Sequence, residues 1–213
     1  PEPRVQRPGH RRHGGADGPP VKRLALFISG TGGNALNLLR ACREGRVPAQ
    51  PVLGLASTAK AGGIQRLQDE GLATVVVVRK DFDSDEGFSE ACYRAAEAAG
   101  AEVICLCGWL KKLTVPPRWA GRILNIHPGL LPQYGGAGMY GMHVHRAVLE
   151  AGEAESGATV HLVDDEYDHG RILDQLRVPV LPGDTAEDLQ KRVYAAEMEL
   201  FPRALAAYLL ERA

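Results

Sequence analysis

The hydrophobic pattern of this chain starts late. Residues Pro1 to Pro20 are rich in Arg, His, Gly and Pro and show no apolar period, so they are predicted to form a disordered tail. From Arg23 the pattern becomes regular. Leu24-Ala25-Leu26-Phe27-Ile28 is a short apolar run stopped by Ser29-Gly30, as expected of a strand buried on both faces. Ala35 to Glu44 carries helix formers, with apolar positions at Leu36, Leu39 and Ala41. Strand Val52 to Ser57, helix Gly63 to Glu70, strand Thr74 to Val78, the Ala-rich helix Glu86 to Ala99, strand Val103 to Cys107 and a short strand Ile123 to Ile126 follow. Apolar strands alternating with helices predict βαβ units, hence a parallel sheet covered by helices on both faces.

The rhythm then changes. Ala158 to Val163 and Ile172 to Val180 read as two strands joined by the acidic loop Asp164 to Gly170, which predicts an antiparallel hairpin at the sheet edge. Pro182-Gly183-Asp184-Thr185 precedes a last helix running towards Leu210, with Asp184 or Thr185 placed to cap it and Glu187 and Asp188 in its first turn. No internal repeat interrupts this order. The expectation is one α/β domain over residues 21–213, built on a doubly wound, mostly parallel sheet with a late antiparallel edge hairpin.

Composition narrows the class of function. The chain has 213 residues, 45% hydrophobic and 24% charged, which suits an ordinary globular domain with a real core. A formal net charge of -1 gives no basic field for nucleic acid and no acidity typical of disorder. No apolar run approaches the roughly 18 residues of a membrane span, and the N-terminal stretch has no signal-peptide core. A cytoplasmic location is therefore expected, with small-molecule partners and neither nucleic acid nor membrane; the oligomeric state is left open. Cys42, Cys92, Cys105 and Cys107 match no zinc spacing and read as reduced, packed thiols, Cys105 and Cys107 on one strand face.

Three segments carry candidate chemistry. Ser29-Gly30-Thr31-Gly32-Gly33-Asn34 joins the first strand to the first helix, where glycines allow close backbone approach and a helix N-terminus attracts an anion. It reads as a phosphate loop. It is not G-x-G-x-x-G, and the second strand ends Ala56-Ser57-Thr58 without a carboxylate for a ribose, so NAD is not expected. Asn125-Ile126-His127-Pro128 lies at the carboxyl end of the fifth strand, where open α/β sheets bind ligands. Asn125 and His127, two apart, project to one side, an amide donor beside an imidazole able to polarise a carbonyl and manage a proton. The alternative is a strand-end cap and a hydrogen-bonded structural histidine. Asp164-Asp165-Glu166-Tyr167-Asp168-His169-Gly170 is a turn or a solvated charge run unless it brings Asp168 to the other two. Its spacing is not that of an EF-hand, and His143, His145 and His161 make no metal-ligand pattern with it, so no metal is expected.

Taken together, Leu124-Asn125-Ile126-His127-Pro128 with Leu130-Leu131-Pro132, the opening Ser29-Gly30-x-Gly32-x-Asn34, His143-Val144-His145-Arg146 and Tyr167-Asp168-His169-Gly170 resemble the folate-dependent formyltransferases, in the expected order and from Lys22 to about Leu210. The resemblance implies a doubly wound α/β fold, no metal, and transfer of a formyl group from the co-substrate 10-formyltetrahydrofolate to a small phosphorylated amine. In size and pattern the chain is most similar to the branch acting on 5-phosphoribosylglycinamide in purine biosynthesis, by direct attack through a tetrahedral intermediate. The resemblance makes Asn125, His127 and Asp168 the catalytic residues, with Asp168 raising the pKa of His127. It places the substrate phosphate on Thr31, Gly32, Gly33 and Asn34, and puts Glu197 where the family has a glutamate that contacts that substrate. It forms the folate pocket from Trp109, Leu110, Lys111, Lys112, Leu113, Val163 and Asp164. Three departures stand out: a long glycine-rich loop Tyr134 to Met142, expected to act as a mobile lid, Gly129 in place of a frequent serine, and Asp85 where an arginine often serves the folate side. Alternatives are a formyltransferase for another amine, such as an amino sugar nucleotide, and a non-catalytic binding module, whose mark would be loss of Asn125, His127 or Asp168.

Overall fold

The computed structural model describes residues 21–212; the tail expected over Pro1 to Pro20 lies outside the described residues. Seven strands form one sheet in the order β3-β2-β1-β4-β5-β6-β7. They are β1 (Lys22–Ile28), β2 (Ala49–Ala56), β3 (Thr74–Val76), β4 (Val103–Leu106), β5 (Ile123–His127), β6 (Glu155–Leu162) and β7 (Ile172–Pro179). The first five run parallel, while β6 is antiparallel to both β5 and β7. The helices are α1 (Gly33–Arg43), α2 (Gly63–Asp69), α3 (Asp85–Ala98), α4 (Met142–Glu150) and α5 (Ala186–Leu210).

The period-2 pattern sorts the core into two layers. Leu24, Leu26 and Ile28 of β1, with Cys105 of β4 and Leu124 and Ile126 of β5, pack towards α1, α4 and α5. Ala25 and Phe27, with Ile104 and Ile123, pack towards Phe88, Cys92 and Ala96 of α3. A strand with apolar residues on both faces loses little by being covered twice, which is why the apolar runs read so clearly. Cys105 and Cys107 do share one layer. All four cysteines are free thiols, and burial pushes Cys42 up to about 11 and Cys92 up to about 12. Neither is a thiolate near neutral pH.

Helix ends follow the local chemistry. Ser84 caps α3, its hydroxyl accepting from the Gly87 N–H. Thr185, not Asp184, caps α5, in a capping box with Asp188; Asp184 instead pairs with Arg192 at 2.6 Å. Helix α4 is an element that the sequence pattern leaves unassigned, because it follows directly on the glycine-rich loop and is short. No helix among the described residues is long and apolar enough to cross a membrane.

Candidate active site

The chain turns from β1 outward to β2 and β3, then returns to place β4 on the other side of β1. Open sheets bind ligands at the carboxyl ends of strands beside such a reversal. A cavity of about 400 Å³ opens there, lined from the ends of β4 and β5, the loops 108–113, 136–141 and 163–168, and one stripe of α5.

Asn125 and His127 share the face of Ile123, as strand geometry requires. The antiparallel partner adds a third group. In the β5–β6 register Asn125 faces His161 and His127 faces Thr159. His161 Nδ1 donates to the Leu162 carbonyl at 2.9 Å, so in the neutral ring Nε2 accepts from Asn125 Nδ2 at 3.0 Å. This contact fixes the amide with its nitrogen inward and leaves one N–H unused. Thr159 and Gln175 hold the turn after His127: Thr159 donates to the Gly129 carbonyl at 2.7 Å and accepts from the Leu131 N–H at 3.1 Å, and Gln175 donates to the Leu131 carbonyl at 2.9 Å. A Cβ on Gly129 would come within 2.8 Å of Val144 Cγ1, so a side chain there would require Val144 to shift.

Asp168 arrives from the loop between β6 and β7 with φ 56, the one positive value at a non-glycine residue among those described. Holding a side chain there costs on the order of 1 kcal/mol and marks a backbone fixed by its surroundings. Its carboxylate accepts from the Gly136 N–H at 3.0 Å and lies 3.5 Å from both His127 Nδ1 and His161 Nε2. Burial pushes the Asp168 pKa up, but the contacts with His161 and His127 and the Gly136 N–H outweigh it, so the carboxyl sits below its ordinary value and is ionised.

His127 requires a correction. Asp168 does raise its pKa, as expected, but not enough to leave the ring charged. The side chain is only 3% exposed, and burial outweighs the attraction of Asp168, so the pKa lies below the ordinary value and the ring is neutral near pH 7. Its Nε2–H donates to the Tyr134 carbonyl at 2.6 Å, which leaves Nδ1 as the basic nitrogen, turned towards Asp168.

The other expected residues divide. Trp109, Leu110, Lys111, Lys112, Leu113, Val163 and Asp164 all line the cavity, as do Asn34 and Glu197. Thr31, Gly32 and Gly33 do not; they form the turn beside it, with Gly32 as the N-cap of α1 at φ 70 and packed against Gly63. Asp85, which stands where an arginine often serves the folate side, is paired with Arg79 at 2.5 Å, and Arg79 also donates to the Phe82 carbonyl. Among the described residues no cluster of three or more His, Cys, Asp or Glu side chains is arranged around a metal position.

Glu197 is buried and accepts from Asn34 Nδ2 at 2.7 Å. Burial pushes its pKa up to about 7, with the Asn34 hydrogen bond opposing. A carboxyl raised from 4.5 to about 7 on folding stabilises the protein fully below pH 4.5 and loses that contribution as pH rises through 7. Glu197→Gln keeps an acceptor for Asn34 without the charge. Relative to wild type, it is expected to gain up to about 3 kcal/mol between pH 4.5 and 8. Thermal melts of both proteins at pH 5 and pH 8 check this, and a difference independent of pH contradicts it.

Among the described residues four buried polar side-chain atoms lack a hydrogen-bond partner, and three of them, on Asn34, Trp109 and His145, belong to residues that line the cavity. Native proteins rarely leave such atoms bare, and their concentration here marks a ligand site. Burial, followed by the proximity of His127, lowers the His145 pKa to about 4, so that ring is neutral as well. The sequence pattern gives His161 no role beyond a rejected metal ligand, gives His145 a place in a motif but no chemical role, and gives none to Gln190 or Tyr194. Gln190, Tyr194 and Glu197 stand at helical spacing on α5 and all reach the cavity, a stripe readable by counting back from Glu197. The partnership of His161 with Asn125 needed the strand register.

These features define an open-sheet α/β domain with an amide, a neutral imidazole and an ionised carboxylate beneath a cavity beside a helix N-terminus. The chain belongs to the formyl transferase family, which it matches over residues 22–205. It is 44% identical over 191 residues to the trifunctional purine biosynthetic protein adenosine-3 of Drosophila pseudoobscura pseudoobscura, covering 88% of this chain but only 14% of that protein. It is 38% identical to the chloroplastic phosphoribosylglycinamide formyltransferase of Arabidopsis thaliana, over 93% of this chain and 69% of the relative. The crystal structure of phosphoribosylglycinamide formyltransferase from Brucella melitensis superposes with a TM-score of 0.79 at 42% identity, covering 88% and 95% of the two chains.

Proposed function

We propose that this chain transfers the formyl group of 10-formyltetrahydrofolate to the amine of 5-phosphoribosylglycinamide, a step of purine biosynthesis in the cytoplasm, through a domain beginning near residue 21. The observation that carries the reading is the placement of the Asp168 carboxylate 3.5 Å from His127, beside the Asn125 amide, on the floor of a cavity that reaches Asn34 at the start of α1. The names of the relatives support the substrate pair. The indole and leucines of 109–113 suit a flat, largely apolar ligand, and the free N–H groups at the start of α1 suit a phosphate.

Each residue then has a role in the transfer. Asn125 directs its unused amide N–H at the formyl oxygen, which gains negative charge as the amine adds. His127, neutral at rest because it is buried, takes the proton of the attacking amine on Nδ1. Asp168 stabilises the imidazolium that results, and the pair returns the proton to the departing folate nitrogen. No covalent bond to the enzyme is needed. Much of the rate comes from holding two substrates in one cavity with their reacting atoms adjacent.

Turnover tests the reading. The absorbance of the folate released from 10-formyltetrahydrofolate is followed with phosphoribosylglycinamide and then with an amino sugar nucleotide. Saturable turnover with the first and background with the second is expected; the reverse preference replaces this reading by a formyltransferase for amino sugars.

A further inference from the structure

The turn Thr31 to Gly33 is flanked by two side chains that the formyl-transfer chemistry does not use. From α5, the Tyr194 hydroxyl reaches over Gly33 so closely that a Cβ on Gly33 would overlap its oxygen. Tyr194 lines the cavity and is 44% exposed, and its hydroxyl has no protein hydrogen-bond partner among the described residues. From α2, Arg66 Nη1 donates to the Thr31 carbonyl at 2.8 Å. Glu70, one turn further along, is held by Arg40 and Arg43, so Arg66 meets no carboxylate among the described residues. The guanidinium is therefore anchored through a single N–H, with its charge unneutralised and its other donors free.

The helix between these side chains is prepared for an anion. No side chain caps α1, and its first turn holds no acid. Asn34, in that turn and 7% exposed, faces the cavity with its buried Oδ1 unpartnered. That atom points independently to a ligand whose donor groups continue inward from the anion. The stripe of α5 matches this order, with Tyr194 at the mouth over Gly33 and Glu197 one turn deeper, bonded to Asn34.

We propose that Tyr194 and Arg66 complete the phosphate site at the start of α1, the Tyr194 hydroxyl donating a hydrogen bond to the phosphate of the amine substrate and the Arg66 guanidinium pairing with its charge. The inference rests on the formyl-transfer reading for the identity of the phosphate's carrier. It makes phosphate recognition a property of three elements, α1, α2 and α5, and not of the glycine turn alone. It also gives Gly33 a specific requirement: a side chain there would displace the tyrosine hydroxyl from its place.

The experiment compares wild type, Tyr194→Phe and Arg66→Gln with phosphoribosylglycinamide and with its dephosphorylated counterpart, ribosylglycinamide. A lost hydrogen bond or ion pair to a charged group is expected to raise KM for the phosphorylated amine by about tenfold or more. The change is expected in KM rather than kcat, with KM for the folate unaltered and no penalty for either variant with the dephosphorylated amine. An equal penalty with both amines assigns these residues to packing and overturns the proposal, as does an unchanged KM with the phosphorylated one. Calorimetric titration with inorganic phosphate asks the same question without turnover. Weaker binding by both variants is expected even if the formyl-transfer reading fails, whereas equal affinity in all three proteins removes the site.

Discussion

Asp168→Asn is expected to lower kcat with phosphoribosylglycinamide by about 10²–10⁴-fold, the usual consequence of disabling an acid–base group, while KM for either substrate changes little. The substitution is nearly isosteric. Asparagine tolerates the left-handed backbone of this position, and its oxygen can still accept from the Gly136 N–H that holds the wild-type carboxylate at 3.0 Å. Only the negative charge is lost. His127 is already below its ordinary pKa through burial, and Asp168 is the first contribution opposing that. Without it, a proton arriving on Nδ1 has no countercharge and proton transfer from the amine becomes costly. Steady-state kinetics on the folded variant check this. A wild-type kcat would reduce Asp168 to a turn residue.

Asn125→Ala and His127→Ala are each expected to cost about 10²–10³-fold in kcat, and the double variant much less than the product of the two. The reason lies in the register of β5 and β6. Asn125 Nδ2 is oriented by His161 Nε2 at 3.0 Å, His161 Nε2 lies 3.5 Å from Asp168, and Asp168 lies 3.5 Å from His127. Removing either end disturbs the shared middle, so the second removal finds a constellation already impaired. Kinetics of the two single variants and the double variant measure the coupling; additive losses would mean that the amide and the imidazole act independently.

The order of elements was legible because each strand of a doubly covered sheet is an uninterrupted apolar run. Leu24 to Ile28 and Val103 to Leu106 needed no tertiary information. The same is true of Asn125 and His127, whose shared face follows from the two-residue period alone. Boundaries drifted where backbone geometry decides them: β3 stops at Val76 and β4 at Leu106, each short of the apolar pattern. Helix α4 was hidden by the glycines before it. The site was legible in its loops but not in its electrostatics. Proximity of Asp168 suggested a charged His127, yet the balance between attraction and desolvation depends on how deeply the ring is buried, which no local pattern encodes. His161 and Tyr194 were missed for a related reason. Each is an ordinary residue of a strand or helix until the neighbouring element, β5 in one case and the Gly33 turn in the other, is set beside it.

The most direct measurement follows the same turnover at the level of product, with wild-type protein and 10-formyltetrahydrofolate carrying an isotopic label in its formyl carbon. With phosphoribosylglycinamide present, mass spectrometry is expected to find the label on the amine, one formyl group per folate released. Label appearing as free formate while the amine stays unmodified would contradict the account.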